Sequence, residues 1–143
     1  MDSTDIKILE VLQRDGRISM KDLGNLVNLT SPAVSERVRR LEDKGVIKGY
    51  TAIVDPNLLG RTLHAMIEVS MTTASHRAFK EFVKTENAII ECHHLTGNSC
   101  MTVKVMVKST TELEKLIGKI QQIGGTKTSI ILSTPLEGKS ILP

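Results

Sequence analysis

Residues 19–50 read SMKDLGNLVNLTSPAVSERVRRLEDKGVIKGY. Apolar side chains recur here at helical spacing twice, with a short polar break between. Ser19-Met20-Lys21-Asp22 is a capping box with an acid in the fourth place, and Leu23, Leu26 and Val27 give the helix it starts a buried face. Asn28-Leu29-Thr30 is the break. Ser31-Pro32 predicts a second start, with Ser31 as N-cap and Pro32 at the first helical position, where a missing N–H removes no intrahelical bond. Val34, Val38 and Leu41 fall at i, i+4 and i+7 and so face a core, and Gly45 ends the helix. With that face fixed, Ala33, Glu36, Arg39 and Arg40 point outward, and Ser35 and Arg37 lie on the flanks.

Upstream, residues 4–13 carry Ile8, Leu9 and Leu12 on one stripe, with Asp2 or Ser3 as N-cap and Asp15-Gly16 as the stop. Three short helices, the last studded with arginine and entered through a tight turn, form a helix-turn-helix pattern; in such a pair the second helix enters the major groove of DNA. Residues 46–54 then read as an extended segment, a candidate wing.

The charge agrees with a local footprint. The chain of 143 residues has a formal charge of only +3, but residues 31–50 hold five basic against three acidic side chains. Aromatic residues make up 2%, too few to stack unpaired bases, which counts against single-strand or RNA binding. The acidic start Met1-Asp2-Ser3-Thr4-Asp5 is no signal peptide, and no apolar run exceeds three residues, so no membrane association is expected. Cys92 and Cys100 provide no disulfide framework. A cytoplasmic, nucleoid-associated protein is expected.

Beyond the connection at Asp55-Pro56-Asn57 and Gly60 the periodicity changes. Residues 64–72 alternate as a strand, with Ala65, Ile67, Val69 and Met71 on one face. Residues 75–85 place Phe79, Phe82 and Val83 on a helical face. Residues 88–96 and 100–108 are strands joined at Gly97-Asn98-Ser99. Residues 111–123 are helical, burying Leu113, Leu116, Ile117 and Ile120, and a last strand covers 126–133. The order β-α-β-β-α-β is a ferredoxin-like, split βαβ unit with a four-stranded antiparallel sheet. The fold class is therefore α+β: an N-terminal (winged) helix-turn-helix in residues 1–50, a connecting strand or linker in 51–63, and the ferredoxin-like domain in 64–143. Both helices cover one sheet face. The other, bearing Met66 or Ile67 and Ile130 or Ile131 according to register, predicts self-association.

No catalytic motif is present, so no enzyme is expected, and no cofactor. Cys92-His93-His94 and Cys100 are metal-ligand types, but consecutive strand residues point to opposite faces, so no metal site is expected. Gly124-Gly125 follows a helix rather than preceding one, the wrong order for a phosphate loop.

Three blocks carry a resemblance: Asp15-Gly16-Arg17-Ile18-Ser19, Glu36-Arg37-Val38-Arg39-Arg40-Leu41-Glu42 and Gly45-Val46-Ile47-Lys48-Gly49-Tyr50. In order and spacing they resemble the Lrp/AsnC (leucine-responsive, feast-famine) transcriptional regulators of bacteria and archaea, and the second half is similar to that family's effector domain. The resemblance implies a sequence-specific regulator that binds double-stranded DNA as a homo-oligomer, a dimer often assembled into an octamer of four dimers, and responds to an amino acid. Helical phase then places Ser31, Ala33, Ser35 and Glu36 near base edges and Arg37, Arg39 and Arg40 mostly at phosphates, with Lys48 a further contact. The family's ligand loop falls on Gly97, Asn98, Ser99 and Cys100. Cys100 stands where the family usually has an acid, so a partner for an amino acid's ammonium group is missing and a weak response is expected. Two other functions remain open at this stage: an architectural protein that wraps or bends DNA with low specificity, and a ligand-binding ferredoxin-like domain whose helical arm is only structural.

Overall fold

Asp2 and Asp5 cap each other's backbone at the start of the chain: the Asp5 amide donates to Asp2 Oδ1 (2.9 Å) and the Asp2 amide to Asp5 Oδ2 (3.1 Å). This box launches α1 (Ser3–Arg14), the first helix in the computed structural model, which describes residues 1–97 and 100–142. Of the two expected N-caps, Asp2 is the one used. α2 (Met20–Val27) follows, capped by Ser19. The box here differs from the usual form. Ser19 Oγ accepts from the Asp22 amide, but Asp22 takes the serine hydroxyl proton rather than a backbone N–H.

The turn into α3 (Ser31–Asp43) is tight. Asn28 adopts the left-handed conformation (φ 56°), and the Leu29 amide returns to Gly24 O (2.9 Å). Gly24 is required there because a Cβ would stand 2.6 Å from Leu29 O. The N-cap of α3 is Thr30, not Ser31: its Oγ1 accepts from the Ala33 amide (3.4 Å), which moves Ser31 into the first helical position and Pro32 into the second. Both prolyl positions lie in the first turn, where the missing N–H is an orphan anyway. Ile8, Leu9, Leu23, Val27, Val34, Val38 and Leu41 close one aliphatic core. Residues 46–54 enter no regular strand, so the expected wing has no ladder among the described residues. Ile47 packs on the helical core, and Tyr50 Oη donates to Glu42 (3.0 Å).

Two compact units result, one of residues 1–53 and the segment from Leu136 onward, the other Val54–Pro135. That last segment, which periodicity groups with the sheet, belongs to the helical unit. Leu142 packs against the helical core, and the Ile141 amide donates to Gln13 Oε1 (3.3 Å).

The second unit holds β1 (Leu63–Ser70), α4 (His76–Thr85), β2 (Ile89–His94), β3 (Met101–Val107), α5 (Thr110–Gln121) and β4 (Gly125–Ile130). The sheet order is β2-β3-β1-β4, with every pair antiparallel. Ala65, Ile67 and Val69 of β1 and Met101, Val103, Val105 and Val107 of β3 pack with Phe79 of α4 and Leu113, Leu116 and Ile120 of α5. Phe82, Val83 and Ile117 sit at the margin of this core.

Register resolves the uncovered face. Ala65 lies opposite Ile130 and Met66 opposite Ser129, so Met66 and Ile131, not Ile67 and Ile130, take the outer side. Their neighbours there, Glu68, Lys104, Glu91 and Lys127, are charged, and Lys104 reaches Glu91 across the strands (3.3 Å). The face is more polar than its alternation suggested. Gly124 has a different task from a turn: a Cβ there would lie 2.5 Å from Ser70 O, so the end of α5 can approach β1 only without one.

Candidate nucleic-acid interface

The outward surface of α3 follows from its inward one. Val34, Val38 and Leu41 are buried, which leaves Ser31, Ala33, Glu36, Arg39 and Arg40 exposed and Ser35 and Arg37 half-buried. Lys48 is exposed beyond the helix. Ser31, Ala33, Ser35 and Glu36 therefore occupy the first half of one helix, immediately after the turn from α2.

The polar atoms on this surface are in different states. Ser35 Oγ donates to Ser31 O (2.8 Å), which leaves its lone pairs free to accept. Arg39 forks onto Glu36 through Nε and Nη2 (3.2 and 3.1 Å), one turn away on the same face. Both are largely exposed; the Arg39 guanidinium holds the Glu36 carboxyl below its usual range, and Glu36 in turn raises Arg39. A surface pair of this kind exchanges readily for another charge.

Arg37 is held otherwise. Its Nη1 donates to Asp2 Oδ2 (2.8 Å), Asp2 Oδ1 (3.0 Å) and Asp5 Oδ1 (2.7 Å). The Asp5 side chain is only 5% exposed, and Arg40 Nη2 approaches it at 3.5 Å. The Asp5 amide, then Arg37, holds Asp2 below the ordinary carboxyl range. Burial pushes Asp5 up, but the Asp2 amide and Arg37 outweigh it and the net direction is down. The sequence flagged Arg37 but missed these partners. The only legible signal was the Asp2/Asp5 cap itself.

In the second unit, the β2–β3 connection carries the expected ligand loop. Gly97 has φ 112°, and the Leu95 amide bonds Cys100 O (2.9 Å), closing the hairpin. Asn98 and Ser99 lie outside the described residues. The Cys100 thiol points to main-chain acceptors, Val69 O (3.5 Å) and Met71 O (3.7 Å). On β2, Cys92 pairs with Val103 and His93 with Thr102, on opposite faces, and burial pushes the Cys92 thiol up. Among the described residues no three His, Cys, Asp or Glu side chains are grouped to hold a metal ion, and no helix is long and apolar enough to cross a membrane.

The fold and its exposed arginine-bearing helix define a helix-turn-helix transcriptional regulator with a separate α+β domain. Comparison with known proteins agrees. Residues 1–48 match the winged helix-turn-helix DNA-binding model, and residues 64–141 match the Lrp/AsnC ligand binding domain. The HTH-type transcriptional regulator LrpC of Bacillus subtilis is 35% identical over 93% of this chain and 92% of its own. Its solved structure superposes with a TM-score of 0.91 at 34% identity, covering 97% of this chain and 99% of that one. The leucine-responsive regulatory protein of Haemophilus influenzae is 35% identical over 92% of this chain and 84% of its own. The Neisseria meningitidis transcriptional regulator NMB0573, solved in complex with L-Met, matches at TM-score 0.91 and 25% identity over 96% of this chain and 93% of that one. The chain belongs to the Lrp/AsnC family, and it is a transcriptional regulator rather than an enzyme.

Proposed function

We propose that this chain is a sequence-specific regulator that lays the N-terminal half of α3 in the major groove of double-stranded DNA. Ser31, Ala33, Ser35 and Glu36 lie near base edges, while Arg39, Arg40 and Lys48 neutralise phosphates. The observation that carries this is the phase of α3: its buried face is purely aliphatic, and the exposed one is polar and basic, directly after a tight turn. Copies of the chain associate through the uncovered sheet face, where Met66, Met106 and Ile131 lie among charged neighbours; dimers, and octamers built from them, then present several reading helices in a cytoplasmic, nucleoid-associated particle. With two-fold pairing the bound sites are near-palindromic, with half-sites about one helical turn, ~10 bp, or a multiple apart.

The second domain takes a small molecule. The Neisseria relative supports an amino acid, but in this chain Cys100 offers a neutral thiol already directed at two carbonyls, so ammonium binding through that position is weak. The test is genomic footprinting of the full chain, with gel shifts on selected and random duplexes repeated across an amino-acid panel. Discrete, phased footprints and a preference for selected DNA are expected. Equal affinity for random duplex indicates an architectural wrapping protein, and no shift on any duplex refutes DNA reading. Sedimentation of the same sample must show a dimer or larger; a monomer at micromolar concentration removes the two-fold logic.

A further inference from the structure

Of the three arginines of α3, Arg37 is the one hydrogen-bonded to another helix, while Arg40 only approaches Asp5 at 3.5 Å. Its guanidinium is half-buried, with 26% of the side chain exposed, against 67% for Arg39 and 47% for Arg40. One nitrogen, Nη1, makes three bonds to two carboxylates of the first turn of α1. Those carboxylates also close the capping box of that helix. The same two carboxylates therefore begin α1 and hold α3, with Asp2 Oδ1 serving both.

Two consequences follow from the charges. A DNA phosphate that took Arg37 would have to approach Asp2 and Asp5 as well, bringing a third negative group to one cation. It would also leave Asp5, nearly buried, with only Arg40 at 3.5 Å as a counter-charge. Arg39 faces neither obstacle, because its partner Glu36 is exposed and returns to water when displaced.

Ile8 and Leu9 of α1 and Val34 and Val38 of α3 share one apolar core. Apolar packing is non-directional and tolerates small rotations, whereas a charge-assisted bond fixes an angle as well as a distance. We propose that Arg37 is a positioning residue: anchored by Asp2 and Asp5, it sets the roll of α3 about its own axis, and thereby which side chains meet base edges, while contributing no charge to phosphate. This rests on α3 being the reading helix.

The test uses the full-length chain and anisotropy titrations on a footprint-selected duplex and a random one, over a range of salt. Arg37→Gln should lower the selected-to-random affinity ratio by roughly tenfold, the size of one lost base-pair discrimination, and leave the salt slope unchanged. Arg39→Gln should reduce the slope by about 1 and keep the ratio. Asp2→Asn guards against a folding artefact, since asparagine is as good an N-cap as aspartate. Positioning predicts that Asp2→Asn also lowers the ratio, and that Arg37→Lys, which keeps a charge near Asp5, recovers part of the loss seen with Arg37→Gln. A phosphate role predicts the reverse: Arg37→Gln would weaken both duplexes equally and cut the slope by about 1, and Asp2→Asn, by freeing the cation, would tighten both. Those results, or an unchanged ratio in both variants, overturn the proposal. A wild-type chain that binds no duplex refutes the DNA reading itself, and Arg37's role with it.

Discussion

Cys100→Asp places the acid usual in the family at the one loop position where this chain lacks it, and the structure predicts that the exchange destabilises the protein. The thiol is a weak donor aimed at Val69 O and Met71 O, 3.5 and 3.7 Å away. An ionised carboxylate has no proton to give, so it meets two acceptors with a third. Leaving such a group unsatisfied costs about 1–3 kcal/mol when buried; Cys100 is only partly buried, so the lower half of that range, about 1–2 kcal/mol, applies. The cost attaches to the charged form. Protonated, the new carboxyl donates to a carbonyl as the thiol does, so its folded-state pKa is raised above the unfolded value of about 3.9, by roughly one unit for each 1.4 kcal/mol. The sign is then fixed. Cys100→Asp should match the wild type below about pH 4 and fall behind as pH rises through the raised folded value, with the full deficit at pH 7. Urea unfolding at fixed protomer concentration, at pH 4 and pH 7, measures it. Cys100→Ser, which keeps a donor, should show no pH-dependent deficit against the wild type. An ammonium ligand is the donor that the two carbonyls and the carboxylate lack, so saturating methionine should restore part of the loss at pH 7. Full stability of Cys100→Asp across this window, with or without methionine, would refute the claim that the two carbonyls define the position.

Other changes are read from the helical unit. Gly24→Ala puts a methyl 2.6 Å from Leu29 O, a backbone atom, and should cost about 1–3 kcal/mol in thermal unfolding; a neutral substitution would show that the α2–α3 turn yields easily. Arg39→Ala should weaken selected and random DNA by similar factors and lower the salt slope by about 1, as gel shifts at several ionic strengths will show; loss confined to the selected duplex would mean that Arg39 reads a base. The Asp2 and Asp5 carboxyls are held below their usual 3.8, so their contribution is complete above that pH and fades as pH falls through the lowered values. Side-chain carbonyl NMR titration follows this directly, and two midpoints at or above 3.8 would contradict the clasp.

What the sequence displayed was local. The i, i+4, i+7 spacing of Val34, Val38 and Leu41 made the phase of α3 readable, and the alternation of β1 and β3 made the sheet readable, because burial imposes those periods directly on the chain. The N-cap of α3 slipped by one residue because Thr30 and Ser31 are adjacent, chemically equivalent caps, and only the reach of Thr30 Oγ1 to the Ala33 amide decides between them. The wing was expected from alternation in residues 46–54, but alternation does not supply a neighbouring strand. Strand pairing chose Met66 and Ile131 for the uncovered face, a choice that no single strand contains. Arg37 to Asp2 spans 35 residues, and Gln13 to Ile141 spans 128. Contacts at such separations leave no period to find.

The return of the chain to its first unit has a consequence during synthesis. Helices α1 to α3 leave the ribosome well before residue 136, and at roughly 5–20 residues per second the intervening stretch takes on the order of ten seconds. Throughout that interval the cleft lined by Leu9, Leu12 and Ile47 waits for Leu142. The nascent helical unit thus carries an uncovered apolar surface until the segment from Leu136 onward emerges and Leu142 packs on it.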